Sequence, residues 1–344
     1  MATFDPNAAA QPGSGVFGLP HSASEAALVL VPVPFEATCS YGGGTSRGPA
    51  AILQASRQVD LYDPDTGTPY EAGIHMLPVD ARVATWSQQG RQLAEQVIAK
   101  GGVTEGDEDA ARTAAHVNAY CEQMCGWVDS EVGRWLEAGK RVGTVGGDHS
   151  ISLGAIRAHA RRFPGLGILH VDAHADLRLA YEGFRYSHAS IMRNVIDTVS
   201  AVTRVVQVGI RDFCQEEAEV AAGSGGRVIM HTDGALQGLL HEGQAWANLC
   251  QRVVDPLPQR VYVSFDIDGL EPSLCPHTGT PVPGGLSYPH ALTLLKVLCR
   301  SGRELVGFDL TEVTPGPEGD EWDANVGARL LYKLSGWTLH SQRG

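Results

Sequence analysis

Leu166-Gly167-Ile168-Leu169-His170-Val171-Asp172-Ala173-His174-Ala175-Asp176 is an apolar run that ends in acids and a histidine at every second position. Its apolar half does not alternate with polar residues, which marks a strand covered on both faces, as in a parallel sheet. Five further runs have the same character: residues 27–33, 142–145, 205–209, 261–265 and 304–309. Helical patterns lie between them, over residues 49–59 (begun by Pro49), 108–138, 150–162, 187–199, 288–300 and 323–334. Strand and helix alternate along the chain, so the expected fold is a three-layer αβα architecture around a central, mostly parallel sheet. Residues 88–109 are the least regular and read as a surface insertion. No Pro/Gly/Ser linker or internal repeat divides the rest, so residues 23–344 are expected to form one domain. Residues 1–22 lack a basic stretch followed by an apolar one. They read as a flexible arm seated on a neighbouring subunit, not as a signal peptide.

The bulk numbers exclude several functions. The 344 residues carry a formal net charge of −13. That disfavours nucleic acid, which is met by a basic face, and is compatible with a cationic substrate. No apolar run approaches the roughly 20 residues that cross a bilayer. Seven scattered cysteines in so long a chain read as reduced thiols of a cytoplasmic protein. Cys121 and Cys125 stand one helical turn apart, but no second pair completes a zinc site.

In a parallel sheet, ligands gather at the carboxyl ends of the strands. Three strand ends here carry metal-ligand residue types: Gly146-Gly147-Asp148-His149-Ser150, Asp172 to Asp176, and Ser264-Phe265-Asp266-Ile267-Asp268. Residues two apart on a strand face the same side, so Asp172 with His174, and Asp266 with Asp268, can each converge on one point. Asp176 is reached as the chain leaves the sheet. Four carboxylates without a lysine or arginine among them would repel one another, and most would have to be protonated. A pair of divalent cations removes that conflict. The oxygen- and imidazole-rich set suits Mn²⁺, Ni²⁺, Co²⁺ or Zn²⁺ and does not suit Ca²⁺. Each segment alone also has a structural reading, as a capped turn; all three in order at strand ends favour metal.

The three motifs together resemble the arginase–agmatinase (ureohydrolase) family. The likeness continues through Gly269-Leu270-Glu271-Pro272-Ser273 and residues 278–285, and it spans nearly the whole chain. The resemblance implies His149, Asp172, Asp176 and Asp266 as ligands of one metal, and Asp172, His174, Asp266 and Asp268 as ligands of the other. Asp172 and Asp266 would bridge, and the ions would be Mn²⁺ or Ni²⁺. It implies Glu312 as the carboxylate set against a guanidinium group and His188 as a proton relay. It also implies a homo-oligomer, trimer or hexamer. Two departures stand out. Glu271 replaces an aspartate, and Leu177-Arg178 follows the second motif where arginases carry an asparagine for the α-amino acid end of arginine. The latter points away from arginine.

The expected reaction is hydrolysis of a guanidino C–N bond, releasing urea. Two metals would lower the pKa of a shared water to about 7. Glu312 would orient the cation and His188 would protonate the leaving nitrogen. The glycine-rich loop Tyr41–Pro49 lacks a P-loop's lysine and spacing and reads as the site entrance, where Thr38 and Tyr41 could touch substrate. Residues 35–38 and 58–63 resemble branches acting on guanidine and small substituted guanidines, and this reading favours such substrates. Agmatine and guanidino acids are the alternatives, with Arg178 or Arg185 available to an acid. A non-catalytic partner subunit of a hetero-oligomer, or a hydrolase of another amidine, are the other classes.

Overall fold

The computed structural model of the protein describes residues 4–11 and 13–341. Residues 1–3 and 12 of the expected arm, and residues 342–344, lie outside the described residues. In chain order the elements are β1 (Leu28–Val33), α1 (Gly48–Ala55), β2 (Ile74–Met76), α2 (Ala81–Ile98), α3 (Glu108–Glu137), β3 (Arg141–Gly146), α4 (Ser152–Arg162), β4 (Leu166–Val171), α5 (Ile191–Thr198) and β5 (Val202–Ile210). They continue with α6 (Gln215–Gly223), β6 (Val228–Thr232), α7 (Asp233–His241), α8 (Trp246–Val254), β7 (Arg260–Asp266), α9 (Tyr288–Arg300), β8 (Glu304–Thr311) and α10 (Trp322–His340).

All eight strands join one sheet in the order β2-β1-β3-β8-β7-β4-β5-β6, and every pairing is parallel. This is the expected three-layer α/β architecture. The strand pleat sorts side chains by period two. Leu169 and Val171 of β4, and Val261, Val263 and Phe265 of β7, pack with α1 and α7–α10 on one face. Leu166, Ile168 and Tyr262 pack with α2–α5 on the other. Both faces are covered, which is why β1 and β4 are buried at every position.

Three expectations need correction. The first half of the expected insertion at 88–109 belongs to helix α2, capped by Asp80, whose side chain accepts the Arg82 N–H. Its buried stripe is Val83, Ser87, Gly90, Ala94 and Val97, spaced as a helix requires but built of small residues with a weak apolar signal. Gly90 is small because Ala37 and Tyr120 press against it. Strands β2 and β6 and helices α6–α8 escaped the pattern because they are short and, at β6, only partly buried. Finally, the arm's Val16, Phe17 and Leu19 are buried in the core of their own chain. The Phe17 ring meets Tyr332 of α10 edge-on at 4.8 Å, and the Phe17 N–H donates to Ser56 Oγ.

Cys121 and Cys125 belong to the buried stripe of α3, whose members recur at three- and four-residue steps. Their environment is apolar packing. Among the described residues, no helix is long and apolar enough to cross a membrane.

The strand order matters most for the site. β3, β8, β7 and β4 are consecutive neighbours, so their carboxyl ends stand side by side. Those ends carry His149, Glu312, Asp266 and Asp172 respectively.

Candidate metal centre and substrate cavity

His149 follows β3 through the tight turn Gly147-Asp148. A Cβ at Gly147 would lie 1.9 Å from the Phe35 carbonyl oxygen, so only glycine fits there. The Asp148 side chain then caps the short helical turn 149–151, accepting the Ser150 N–H at 3.0 Å. This seats the His149 ring, 1 % exposed, against three carboxylates. Its Nδ1 lies 3.0 Å from Asp172 Oδ2, 3.2 Å from Asp176 Oδ2 and 3.3 Å from Asp266 Oδ2. His174 Nδ1 lies 3.1 Å from Asp268 Oδ2 and 3.4 Å from Asp172 Oδ1. All six residues read from the sequence as ligands are therefore brought together, in two groups that share Asp172.

The spacing tests whether metal fits. Ligand atoms bonded at about 2.0–2.2 Å to one ion stand about 3 Å apart at near-right angles. The donor atoms here have that separation. Backbone N–H groups orient the carboxylates: Ala173 donates to Asp268, His174 to Asp172 and Asp268 to Asp266, at 3.0, 2.6 and 2.9 Å. Asp176 turns into the cluster from a left-handed backbone, φ 55°. His149 Nδ1, although buried, has no hydrogen-bond partner of acceptable geometry. A lone pair aimed at converging carboxylate oxygens fits a cation.

That tautomer is set from behind. Ser264 Oγ lies 2.9 Å from His149 Nε2 and donates to Asp309 at 2.9 Å. With its proton committed to Asp309, the serine oxygen accepts from Nε2–H, which leaves Nδ1 unprotonated. A second chain supports Asp172. Gln207 Nε2 donates to His170 Nδ1 at 3.0 Å, so His170 Nε2 carries the proton and donates to Asp172 Oδ2 at 2.9 Å. His170 lies within reach of the first metal group, but both its nitrogens are already engaged.

Electrostatics reports the same demand for positive charge. Burial, then the neighbouring Asp268 and Asp172, push the Asp266 carboxyl well above its ordinary range. Burial and Asp172 raise Asp176 to about 6. At His174, burial disfavours the charge, but Asp268 and Asp172 overcome it and hold the imidazole up at about 12. Protons or metal ions must neutralise such a cluster.

Glu312 directly follows β8 with 5 % of its surface exposed, beside the cluster but not among the residues that line the cavity over it. Its Oε1 accepts the His149 N–H at 2.9 Å. Burial first, then Asp266 and Asp148, push its carboxyl well up, so a cation placed against it would restore its charge.

A cavity of about 450 Å³ opens over the cluster. Its wall includes His174, Asp176, His188, Tyr181, Tyr41 and Asp212. Burial first, then the neighbouring His174 and His149, lower the His188 imidazole to about 4. Arg178 also lines the cavity, but its Nε lies 3.6 Å from Glu217 Oε2 and its guanidinium covers the Tyr181 ring at 5.1 Å. Glu217 is buried and accepts the Leu177 and Cys214 N–H groups, so Arg178 is drawn into a structural pair. Arg185 does not line the cavity.

Thr38, expected to contact substrate, is fully buried and absent from the cavity wall. Tyr41 reaches the wall and is 87 % exposed. The glycine-rich loop is shaped by Glu36, whose Oε2 accepts from Gly44 N at 2.7 Å, Ser46 N at 2.9 Å and Thr45 Oγ1 at 3.2 Å. Sequence reasoning missed Ser264, Asp309, Gln207 and Asp212. Ser264 carried a signal, since it lies two residues before Asp266 and shares its strand face. Its pairing with Asp309 is a cross-strand register that only the sheet reveals.

Comparison with known proteins agrees with this geometry. The sequence model described as "Arginase family" matches residues 26–336. The N(1)-aminopropylagmatine ureohydrolase of Synechocystis sp. is 31 % identical over 327 residues, covering 94 % of this chain and 92 % of that protein. The proclavaminate amidinohydrolase of Streptomyces clavuligerus is 36 % identical over 323 residues, covering 90 % of this chain and 88 % of the relative. The solved structure of the agmatine ureohydrolase of Thermoplasma volcanium superposes with a TM-score of 0.72 at 25 % identity, covering 96 % of each chain.

Proposed function

The chain belongs to the arginase family, and from that premise we propose that it releases urea from a guanidino compound bearing a second, cationic group. As a member of that family it is a hydrolase of C–N bonds in linear amidines. One ion would be held by His149, Asp172, Asp176 and Asp266, and the other by Asp172, His174, Asp266 and Asp268. The donor set of imidazole and carboxylate, without thiolate, suits Mn²⁺ or Ni²⁺. The observation that carries the reading is the convergence of three carboxylate oxygens on the unpartnered His149 Nδ1.

When bound, the two ions supply the acidity that turns a water into a nucleophile near neutral pH. The protein's own residues do the rest. Glu312 accepts hydrogen bonds from the guanidinium and holds its carbon towards the cluster. Water adds to that carbon, the bond to the substituted nitrogen breaks, and that nitrogen leaves as an amine after gaining a proton. His188, on the cavity wall and neutral near pH 7, accepts a proton from the water and passes it to the leaving nitrogen.

The favoured small guanidines lose their support once the side chains are placed. Phe35, Ala37 and Thr38 are fully buried. Residues 58–61 line a separate groove beside the N-terminal segment. The residues that do face the cavity favour a longer, cationic substrate. Pockets of about 300–1,000 Å³ hold drug-sized ligands, and at about 450 Å³ this one has room beyond a bare guanidinium. Its rim carries the exposed Asp212 and the rings of Tyr41 and Tyr181, an anion and aromatic faces suited to an ammonium group.

Urea release from guanidine, agmatine, an aminopropylated agmatine, 4-guanidinobutyrate and arginine, with Mn²⁺ or Ni²⁺ reloaded after chelation, tests the proposal. A guanidino-amine should lead, and Glu312→Gln should abolish its turnover. Guanidine ahead of all others would overturn the cationic tail. No urea from any substrate with both metals bound would favour the partner-subunit reading.

A further inference from the structure

Glu312 is one of four non-glycine residues with a left-handed backbone among the described residues, at φ 62°. Side chains disfavour that conformation, so surrounding contacts must hold it. Three hydrogen bonds do. The Glu312 N–H donates to the Gly147 carbonyl at 2.9 Å, and its carboxylate accepts the His149 N–H at 2.9 Å. Both partners lie on the loop after β3. The third bond comes from the strap of residues 276–285, where Thr278 Oγ1 donates to the Glu312 carbonyl at 2.9 Å.

The strap is itself clamped. His277, beside Thr278, donates its backbone N–H to Asp323 Oδ1 at 3.0 Å and its ring Nδ1–H to Asp323 Oδ2 at 2.9 Å. Asp323 is fully buried in the first turn of α10, so a rigid element holds both oxygens of the acceptor. The next residue, Gly279, accepts the Gly42 N–H at 3.1 Å, which ties the same strap to the entrance loop.

We propose that Thr278 is a positioning residue for Glu312, held in place by the His277–Asp323 clamp, so that α10 sets where the Glu312 carboxylate meets the guanidinium. The inference rests on the reading that Glu312 faces that group. Without the hydroxyl, the buried Glu312 carbonyl loses this donor and the peptide after it can rotate towards right-handed values. The carboxylate on the same residue moves with it. Thr278 is 4 % exposed, does not line the cavity over the cluster, and bonds the Glu312 backbone carbonyl and not its carboxylate, so its effect on substrate passes through Glu312.

The test compares Thr278→Val, Thr278→Ser, His277→Phe, the double variant Thr278→Val/His277→Phe and Glu312→Gln with the parent protein. Each is loaded with the same metal, and kcat and KM for urea release, bound metal and Tm are measured. Thr278→Val, which keeps the shape but not the hydroxyl, should lose roughly 10- to 100-fold in kcat, with metal content at the parent level. Thr278→Ser should recover most of that rate. His277→Phe should slow the parent but add little in the double variant, because both changes act through one bond. Parent-like kcat in Thr278→Val, or a Ser variant as slow as Val, would overturn the proposal. So would loss of metal from Thr278→Val. Parent-like turnover by Glu312→Gln would instead remove the reading of Glu312 on which it rests.

Discussion

Ser264 shows how one small side chain can determine what a larger one does. Its hydroxyl hands its proton to Asp309 and accepts one from His149 Nε2, which exposes the Nδ1 lone pair to the carboxylates. Such outer partners typically contribute about 10- to 100-fold in metal affinity. Ser264→Ala removes the acceptor while adding no bulk, so titration calorimetry with Mn²⁺ should show a loss in that range at one of two sites. Unchanged affinity at both sites would mean that the His149 tautomer needs no external support. Glu217 and Arg178 make the complementary point. A cation on the cavity wall is already paired with a buried carboxylate, so charge type alone did not reveal whether it was free for substrate.

Where α4 packs on β8, a helix and a strand meet through a histidine and a glycine. His159 is 1 % exposed, its Nδ1–H donates to the Ala155 carbonyl at 2.8 Å, and its Nε2 has no partner. A Cβ at Gly307 would come within 2.1 Å of that nitrogen, so β8 needs glycine for the helix to seat. Burial lowers the imidazole to about 4, below the value of about 6.5 it has when unfolded. The unfolded chain therefore binds the proton first. The stability this contact contributes is complete above about pH 6.5 and is lost as pH falls towards 4, by up to about 3 kcal/mol. Urea denaturation at pH 7, 5.5 and 4 should show a shallower acid loss in His159→Gln, which keeps an N–H donor but does not titrate. Parallel losses in the two proteins would show that His159 is not a source of the acid sensitivity.

Over the whole molecule, one sheet concentrates acidity at the carboxyl ends of its central strands. Asp172, Asp176, Asp266, Asp268 and Glu312 are each at most 5 % exposed, an arrangement that costs stability unless cations balance it. Metal that binds only the folded protein stabilises it by about 2.7 kcal/mol at a hundredfold excess over Kd. Chelation should therefore lower Tm as well as abolish urea release, and Mn²⁺ or Ni²⁺ should restore both. An unchanged Tm, with metal removal verified by elemental analysis, would mean that protons alone suffice to hold the cluster together.

The sequence by itself determined the fold class and placed the acids and histidines of the proposed ligand set at strand ends. Short unbroken apolar runs alternating with helical patterns read as strands buried on both faces, and acids two apart share a face where the strand stays extended. It also located α3 and α9 closely, α3 by a buried stripe sustained over 30 residues and α9 by leucines at three- and four-residue steps behind Pro289. It could not reveal α2, whose buried positions are small, nor that Phe17 joins the core rather than a free arm. Tertiary structure alone decided that β8 is inserted between β3 and β7, which brings Glu312 to the histidine and carboxylate cluster and pairs Ser264 with Asp309. It also decided which residues face the cavity, burying Thr38 and leaving Asp212 exposed on the rim. The physical reason is range. Periodicity and strand-end chemistry are local properties of a chain, whereas register, strand order and side-chain exposure depend on partners far away in sequence.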